Sequence, residues 1–419
     1  MAQQAVVIGG GAVGVASAYY LHQTGWQVTV VDRGEIGRGA SYGNACLITP
    51  AHSHPLPGPG VLGQAARWMF RRDSPVYIKP RLDLEFLRWA WRFRRFCTRD
   101  AAARGSDALR ALSRMSIDLF EEFGHAPEPG FFYQRKGLLH VYLSDEELVA
   151  ARREQQALVH EGFDARVLSR SETVDLEPAL SAQVRGGVFI AGDAHGHSYD
   201  FVRFLAARIA QHGARLLTGR AVSRIVTDRG RVRGVAIYGA GAGAGEELSA
   251  DLVVLAAGAW TPALASSVGL TIPVQPAKGY SCTIDAFPGS PTIPVFVPGR
   301  RVAITPIGDR LRFGGTLELA GFAEGLDATR YRAVIEAARL VLGDRLRMKN
   351  EEAWFGYRPV TPDGLPVIAR APGIDGLIVA AGHAMLGFTQ SPATGKLVAE
   401  LANGQTPSIP LEPFRLDRF

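Results

Sequence analysis

The stretch 5-AVVIGGGAVGVASAYYLHQTGWQVTVVD-32 decides the fold. Residues 5–9 are a short apolar run of strand length. Residues 13–24 read as a helix that stops at Gly25, and residues 27–31 as a second strand ending at Asp32. Between the first strand and the helix stands Gly9-Gly10-Gly11-Ala12-Val13-Gly14, a G-x-G-x-x-G turn. Such glycines allow a tight turn, close approach of the backbone to a pyrophosphate, and close packing of helix on strand; the helix N-terminus favours the anion. Asp32 can accept from a ribose hydroxyl, and an acid here argues against a 2′-phosphate. Turn, context and acid together predict a dinucleotide, with a glycine-rich packing turn as the bland alternative. A parallel α/β sheet with crossover helices follows.

Composition sets the limits. The chain has 419 residues, room for two or three domains, with 47% hydrophobic and 21% charged residues. Disordered, collagen-like and disulfide-miniprotein classes are excluded. The cysteines, Cys46, Cys97 and Cys282, lie far apart with no CxxC or Cys/His cluster, so neither zinc nor a disulfide framework is expected. The apolar stretch 5–21 has no basic residue before it and holds four glycines, which argues against a targeting segment. No other run reaches the roughly 20 apolar residues that span a bilayer. The expectation is a cytoplasmic protein. The net charge of +6 comes from one place: residues 67–104 hold eleven Lys/Arg and four Asp/Glu, together with Trp68, Trp89 and Trp91. Tryptophan with arginine suits a membrane interface; an amphipathic helical layer with a solvated basic face is the alternative. No recognition motif accompanies the charge, so no nucleic-acid partner is expected.

Further along, residues 34–64 read as loops and 65–125 as helical. Residues 131–143 read as paired strands, 146–161 and 201–212 as helices, and 214–238 as strands. The run 239–245 (GAGAGAG) reads as a flexible hairpin tip. Residues 251–255, 376–381 and several short pieces of 271–320 read as strands; 330–342 and 392–401 read as helices. The strand 252–260 (LVVLAAGAW) ends in small residues that would let the backbone run close to a cofactor, or it is a plain core strand. The loop 37–45 (GRGASYGNA) is mostly small residues, which a cofactor lying along it would explain, or it is a mobile loop.

VVIGGGAVGVASAYYL and GASYGNA, with PAKGYS, GYRPVTPDGLPVIA, GHAMLGFT and PATGKLVAEL, cover residues 6 to about 401 in order. Together they resemble the D-amino acid dehydrogenases of the D-amino acid oxidase-like FAD superfamily. The resemblance implies FAD, bound by Gly9, Gly11, Ala12, Val13, Gly14, Asp32, Arg33, Ser41, Asn44, Ala45, Cys46, Leu47, Val222, Ala257, Gly258 and Trp260. It adds Gly382, His383, Met385, Leu386, Gly387, Phe388 and Thr389, whose loop would meet the flavin. It implies a Rossmann-like FAD-binding domain with an interleaved α+β substrate domain built on a mixed sheet. The expected division is 1–50, 190–270 and 350–419 for FAD, and 51–189 with 271–349 for substrate.

Arg358 matches the family's carboxylate clamp; a guanidinium holds a carboxylate bidentately, and a structural ion pair is the alternative. Tyr280, Tyr357, His383 and His52 are the further candidate catalytic residues, and His54 reads as a surface histidine. His383 could equally be a satisfied core histidine, and Tyr280 an aromatic core position. Cys46 departs from the family's usual glycine; it is either a small buried thiol or a group near the flavin that could tether it. The implied reaction is oxidative deamination of D-amino acids to 2-oxo acids and ammonia, with electrons passed to quinone or another carrier. The resemblance also places segment 67–104 at the inner face of the cell membrane. D-proline or D-hydroxyproline dehydrogenase, a peroxide-forming oxidase of glycine or N-methyl amino acids, and a non-catalytic flavoprotein subunit stay open.

Overall fold

The computed structural model describes residues 3–63, 65, 76–79, 81, 83–125, 130–239 and 245–419. The opening motif forms as its pattern requires. Strand Gln4–Ile8 leads into helix Ala12–Gln23, which returns to strand Gln27–Val31, paired parallel to the first. Both are nearly continuous apolar runs because helices cover the sheet. The six-stranded sheet runs in the order Arg215–Leu217, Gln27–Val31, Gln4–Ile8, Leu252–Leu255, Leu377–Ala381, Val367–Arg370. All its pairings are parallel except the last, which is antiparallel. Helix Ser391–Ala402 lies against helix Ala12–Gln23, and Gly395 makes this possible: a Cβ there would sit 2.5 Å from the Ala16 carbonyl.

The second sheet has nine strands. Eight follow the order Glu352–Val360, Gln275–Asp285, Arg310–Leu319, Val302–Ile307, Val295–Val297, Leu138–Tyr142, Gly186–Ile190, Ala165–Leu168, and Val76–Ile78 pairs with Arg310–Leu319. It mixes parallel and antiparallel pairings. One face packs helix Ala328–Leu342 through Tyr331, Val334, Ala338 and Val341 around Cys282, Ile284, Leu311 and Phe313. Two three-stranded sheets complete the chain. One joins Leu47–Ile48, Ala194–Gly196 and Tyr133–Gln134; the other joins Arg220–Asp228, Arg231–Gly239 and Glu247–Ser249.

Several expectations need correcting. Residues 131–143 do not form a strand pair: Tyr133–Gln134 pairs with Ala194–Gly196, and Leu138–Tyr142 joins the nine-stranded sheet. Gly137, at φ 78°, turns the chain between them. Residues 271–320 hold longer strands than expected, of 11 and 10 residues. The expected FAD-binding segment 350–419 includes strand Glu352–Val360. Its ladder to Gln275–Asp285, from Gln275 opposite Val360 to Thr283 opposite Glu352, places it in the second sheet. Segment 65–125 is not helical throughout: it contains strand Val76–Ile78 and helices Leu84–Phe96 and Arg99–Gly124. Trp68 and residues 240–244 of the glycine–alanine run lie outside the described residues. Among the described residues no helix is long and apolar enough to cross a membrane.

Candidate active site

A cavity of about 1260 Å³ runs between the two large sheets. At one end it is lined by the Gly9–Gly14 turn, Asp32 and Arg33. At the other it is lined by Arg358, His52 and the hairpin that carries Phe296 and Arg301.

The glycine turn is built for close approach. A Cβ at Gly9 would stand 2.5 Å from the Ala256 carbonyl oxygen, and one at Gly14 would overlap the Gly9 carbonyl. Gly11 is the N-cap of helix Ala12–Gln23 and offers no side chain to it. Ser41 Oγ accepts from the Ala12 amide at 2.9 Å, which ties the following loop to the helix start. The Asp32 carboxylate accepts from the amides of Gly10 (2.7 Å) and Gly34 (2.8 Å), so it is fixed at the strand end facing the cavity. Arg33 lies over the Trp260 indole, 3.7 Å from its centroid. Val222, Ala257, Gly258 and Trp260 line this same end. A helix N-terminus whose N-cap glycine offers no side chain, a glycine cradle and an acid at the next strand end fit a dinucleotide.

The loop after strand Leu377–Ala381 lies along the middle of the cavity. Gly382 (φ 86°) and Ala384 (φ 46°) turn it, and His383, Met385, Leu386, Gly387, Phe388 and Thr389 line the wall. The amides of Gly387, Phe388 and Thr389 find no acceptor among the described residues, so they remain as donors for a ring edge. Thr389 Oγ1 donates to the Leu47 carbonyl at 3.1 Å, joining this loop to residues 44–47. His383 is buried, its Nε2 3.0 Å from Thr394 Oγ1, and burial pushes its pKa down to about 3. It is a neutral, hydrogen-bonded wall residue.

Arg358 stands on strand Glu352–Val360. Its guanidinium crosses the neighbouring strand over Gly279, where a Cβ would overlap it. Nη1 donates to the Thr316 carbonyl at 2.7 Å and Nη2 to the Gly315 carbonyl at 3.4 Å. Among the described residues no carboxylate pairs with it. Burial alone lowers its pKa to about 10, so it stays charged at neutral pH. A cavity-facing cation held by carbonyls attracts an anion. Tyr357 also lines the cavity, its hydroxyl donating to the Ala323 carbonyl at 2.7 Å. His52 lines the far end, its ring 4.8 Å from Phe296 and 5.1 Å from His140; burial lowers its pKa to about 4.

Two expectations change. Tyr280 is not at the cavity. Strand alternation turns Gly279 toward the cavity and Tyr280 into the opposite core, where its hydroxyl donates to Glu318 Oε2 at 2.6 Å. Cys46 is likewise turned away. It is fully buried at φ 62°, its Sγ 3.3 Å from Arg312 Nη1 and 3.6 Å from Ser198 Oγ, while its neighbours Ala45 and Leu47 face the cavity. The thiol therefore lies outside the cavity lining. Asn44 Oδ1 accepts from the Cys46 amide and shapes this turn. His54 is exposed and also lines the cavity, with Nδ1 3.2 Å from Ser106 Oγ.

Other lining residues carried no motif of their own: Thr316, Trp354, Phe296, Arg301 and Glu154. The paired glycines Gly314-Gly315 and the bare Gly356, whose Cβ would strike the Trp354 indole, were the available signs of close packing there.

A family model described as FAD-dependent oxidoreductase matches residues 4–401. A D-amino acid dehydrogenase of Methylobacterium nodulans is 35% identical over 422 residues, spanning 99% of this chain and 98% of the relative. A second, from Cereibacter sphaeroides, is 34% identical over 420 residues, spanning 99% and 95%. Among solved structures, glycine oxidase from Geobacillus kaustophilus aligns with TM-score 0.78 and 25% identity, covering 100% of this chain and 99% of the other. L-proline dehydrogenase from P. horikoshii aligns with TM-score 0.73 and 22% identity, covering 100% and 98%.

Proposed function

The chain belongs to the FAD-dependent oxidoreductase family, and from that premise we propose that it oxidatively deaminates D-amino acids, with Arg358 as the carboxylate clamp. The observation that carries this reading is Arg358 itself: a charged guanidinium facing the cavity, with no carboxylate beside it among the described residues.

FAD, when bound, supplies the acceptor for two electrons and the α-hydrogen. Gly9, Gly11, Ala12 and Val13 would hold its pyrophosphate at the helix N-terminus, and Asp32 its ribose. The amides of Gly387, Phe388 and Thr389 would meet the negative charge that reduction places on the ring edge. The rest is positioning by this chain. Arg358 fixes the substrate carboxylate bidentately and so aims the Cα–H. The Cα–H leaves with its electron pair, the amine lone pair forms the C=N bond, and one amine proton is released. The amine must therefore arrive neutral. The uncharged rings of His52 and Phe296 and the neutral His383 wall this region without adding a cation that would compete with Arg358. Water then hydrolyses the imino acid to a 2-oxo acid and ammonia.

Electrons leave to a quinone or another carrier, and helix Leu84–Phe96 supports contact with the membrane that would hold it. Leu84, Leu87 and Trp91 are 71%, 49% and 60% exposed at spacings that share one helix face. Arg88, Arg92, Arg94 and Arg95 border them. Trp89, by contrast, is buried and donates Nε1–H to the Val360 carbonyl at 3.1 Å. An exposed apolar stripe edged by arginine is the pattern of a helix lying in an anionic interface.

The test is anaerobic. Purified yellow protein is mixed in turn with D-amino acids, their L-isomers, D-proline, hydroxy-D-proline, glycine and sarcosine, and the visible flavin band is followed. Bleaching by D-isomers with an open-chain amine is expected. Bleaching by D-proline, glycine or sarcosine in their place would move the substrate class. No bleaching by any of them would overturn a catalytic role on amino acids. Arg358→Ala should keep FAD and lose most of its kcat/KM; an unchanged value would remove the clamp.

A further inference from the structure

We propose that a second, smaller cavity, walled by Arg92, Arg95 and Arg104, is a binding site for the phosphodiester headgroup of an anionic phospholipid. This deepens the membrane reading of helix Leu84–Phe96 and rests on it. The cavity holds about 240 Å³ and lies where three elements meet. Arg92, Arg95 and Phe96 come from the end of helix Leu84–Phe96. Thr98, Ala101 and Arg104 come from the start of helix Arg99–Gly124, and Arg418 and Phe419 from the turn at Leu416–Arg418.

Arg92, Arg95 and Arg104 lack the partners that other surface arginines of this chain have. Arg38, Arg224, Arg233 and Arg339 each pair with a carboxylate. Among the described residues no carboxylate, that of Phe419 included, pairs with Arg92, Arg95 or Arg104. Asp100 stands four residues before Arg104, the spacing of a helical ion pair, and still leaves it unpaired. Arg418 differs: its Nε donates to Asp363 at 2.6 Å and its Nη2 to the Leu365 carbonyl at 2.7 Å, so its charge is already met. Thr98 Oγ1 accepts from the Ala101 amide at 3.3 Å, and this N-terminus of a 26-residue helix adds positive potential to the same wall. Like charges gathered without a counter-ion repel until an anion enters. Guanidinium forks match the oxygens of a phosphate.

The position on the helix selects a lipid over a free anion. With about 3.6 residues per turn, Arg95 falls on the face of Leu84, Leu87 and Trp91, and Arg92 and Phe96 lie roughly a quarter-turn round from it. Arg95 Cζ is 5.0 Å from the Trp91 ring centroid. One side chain thus touches the exposed apolar stripe and lines the cavity. Phe96 and Phe419 place apolar surface beside the charges, as an ester-linked glycerol requires and a bare phosphate does not. The volume is below the roughly 300–1,000 Å³ that encloses a whole small molecule. The head therefore enters the cavity and the acyl chains lie along the stripe. Basic pockets beside a membrane surface bind headgroups in this way.

The experiment measures sedimentation with vesicles of phosphatidylcholine alone and of equal parts phosphatidylcholine and phosphatidylglycerol. Arg92→Gln/Arg95→Gln/Arg104→Gln is set against Arg88→Gln/Arg94→Gln/Arg99→Gln, which removes the same charge from the same two helices outside the cavity. Diffuse attraction would weaken both variants alike; the site predicts a loss at least about tenfold larger in the cavity variant. Equal losses overturn the headgroup site and leave the membrane contact standing. Failure of the wild-type protein to sediment with the mixed vesicles overturns both. A soluble arm uses dihexanoyl phosphatidylglycerol below its micelle concentration against inorganic phosphate, followed by calorimetry. The short lipid should bind the wild-type protein more tightly than phosphate does, and Arg104→Gln alone should weaken it. Phosphate binding as tightly as the lipid, or an unchanged affinity in Arg104→Gln, overturns the assignment. Flavin reduction in solution should be the same in every variant, because none of these arginines lines the larger cavity.

Discussion

Gly279→Ala tests the clamp without touching the arginine. Gly279 has an ordinary backbone φ, so alanine brings no conformational strain. Its Cβ would fall at least 1 Å inside van der Waals contact (3.4 Å) with Nη1, Cζ and Nη2 of Arg358. The obstructed group is the far end of a flexible side chain, so the fold yields by moving the guanidinium. The stability cost should therefore be small, within about 1 kcal/mol. The displacement, more than about 1 Å, separates Nη1 from the Thr316 carbonyl and tilts the fork away from the substrate carboxylate. Misplacement on that scale costs on the order of 100-fold in rate, or about 2.7 kcal/mol of transition-state binding. The assay is anaerobic flavin reduction by the best D-amino acid, giving kcat/KM, beside a thermal melt and the FAD content. The expected pattern is native FAD content, a melting point within a few degrees of wild type, and the large loss in kcat/KM. An alanine variant with wild-type kcat/KM would refute the argument that Arg358 works from across Gly279.

Other positions allow sharper distinctions. Gly14→Ala would drive a Cβ into the Gly9 carbonyl, a backbone atom that cannot swing aside; the variant should purify with little or no FAD, measured by absorbance. Acid precipitation should release all the flavin from the wild-type protein, because Cys46 is packed against Arg312 away from the cavity; yellow colour retained in the pellet would contradict this. Asp193 is buried, its Oδ1 accepting from the Ala51 amide at 3.3 Å and its Oδ2 without a partner among the described residues. Burial raises its pKa from 3.8 to about 8. The native state then holds a proton that the unfolded chain has lost, so its stability falls as pH rises from about 4 to 8. Asp193→Asn should remove this slope and stabilise the protein at pH 7 by up to about 4 kcal/mol; denaturant melts at pH 5 and 8 decide it. Leu87→Glu with Trp91→Glu should abolish sedimentation with anionic phospholipid vesicles while the melting point holds; unchanged sedimentation would discard this helix as the contact.

The nucleotide-binding half was legible from its local sequence. A strand, a glycine turn, a helix and an acid at the next strand end occupy 28 consecutive residues, 5–32, and short-range sterics dictate their arrangement. Backbone carbonyls would collide with any side chain at Gly9 or Gly14, so the residue types themselves report the geometry. Helices with a clear apolar face, such as Ala328–Leu342 and Ser391–Ala402, were readable for the same reason.

The side-chain end of the cavity depends on contacts that no local pattern carries. Arg358 gains its place from Gly279, Gly315 and Thr316, on two other strands of the nine-stranded sheet. Which face of strand Gln275–Asp285 meets the cavity depends on its register with both neighbours. That register put Gly279 in the site and Tyr280 in the core, a distinction one residue wide. Cys46 was turned from the cavity by a left-handed φ and by Arg312, 266 residues away. Arg301 came to the cavity because a hairpin from the second sheet closes over it. Sequence thus determined the dinucleotide cradle, where steric exclusion acts between near neighbours. Tertiary structure decided which side chains face the substrate, because pairing between distant strands sets their direction.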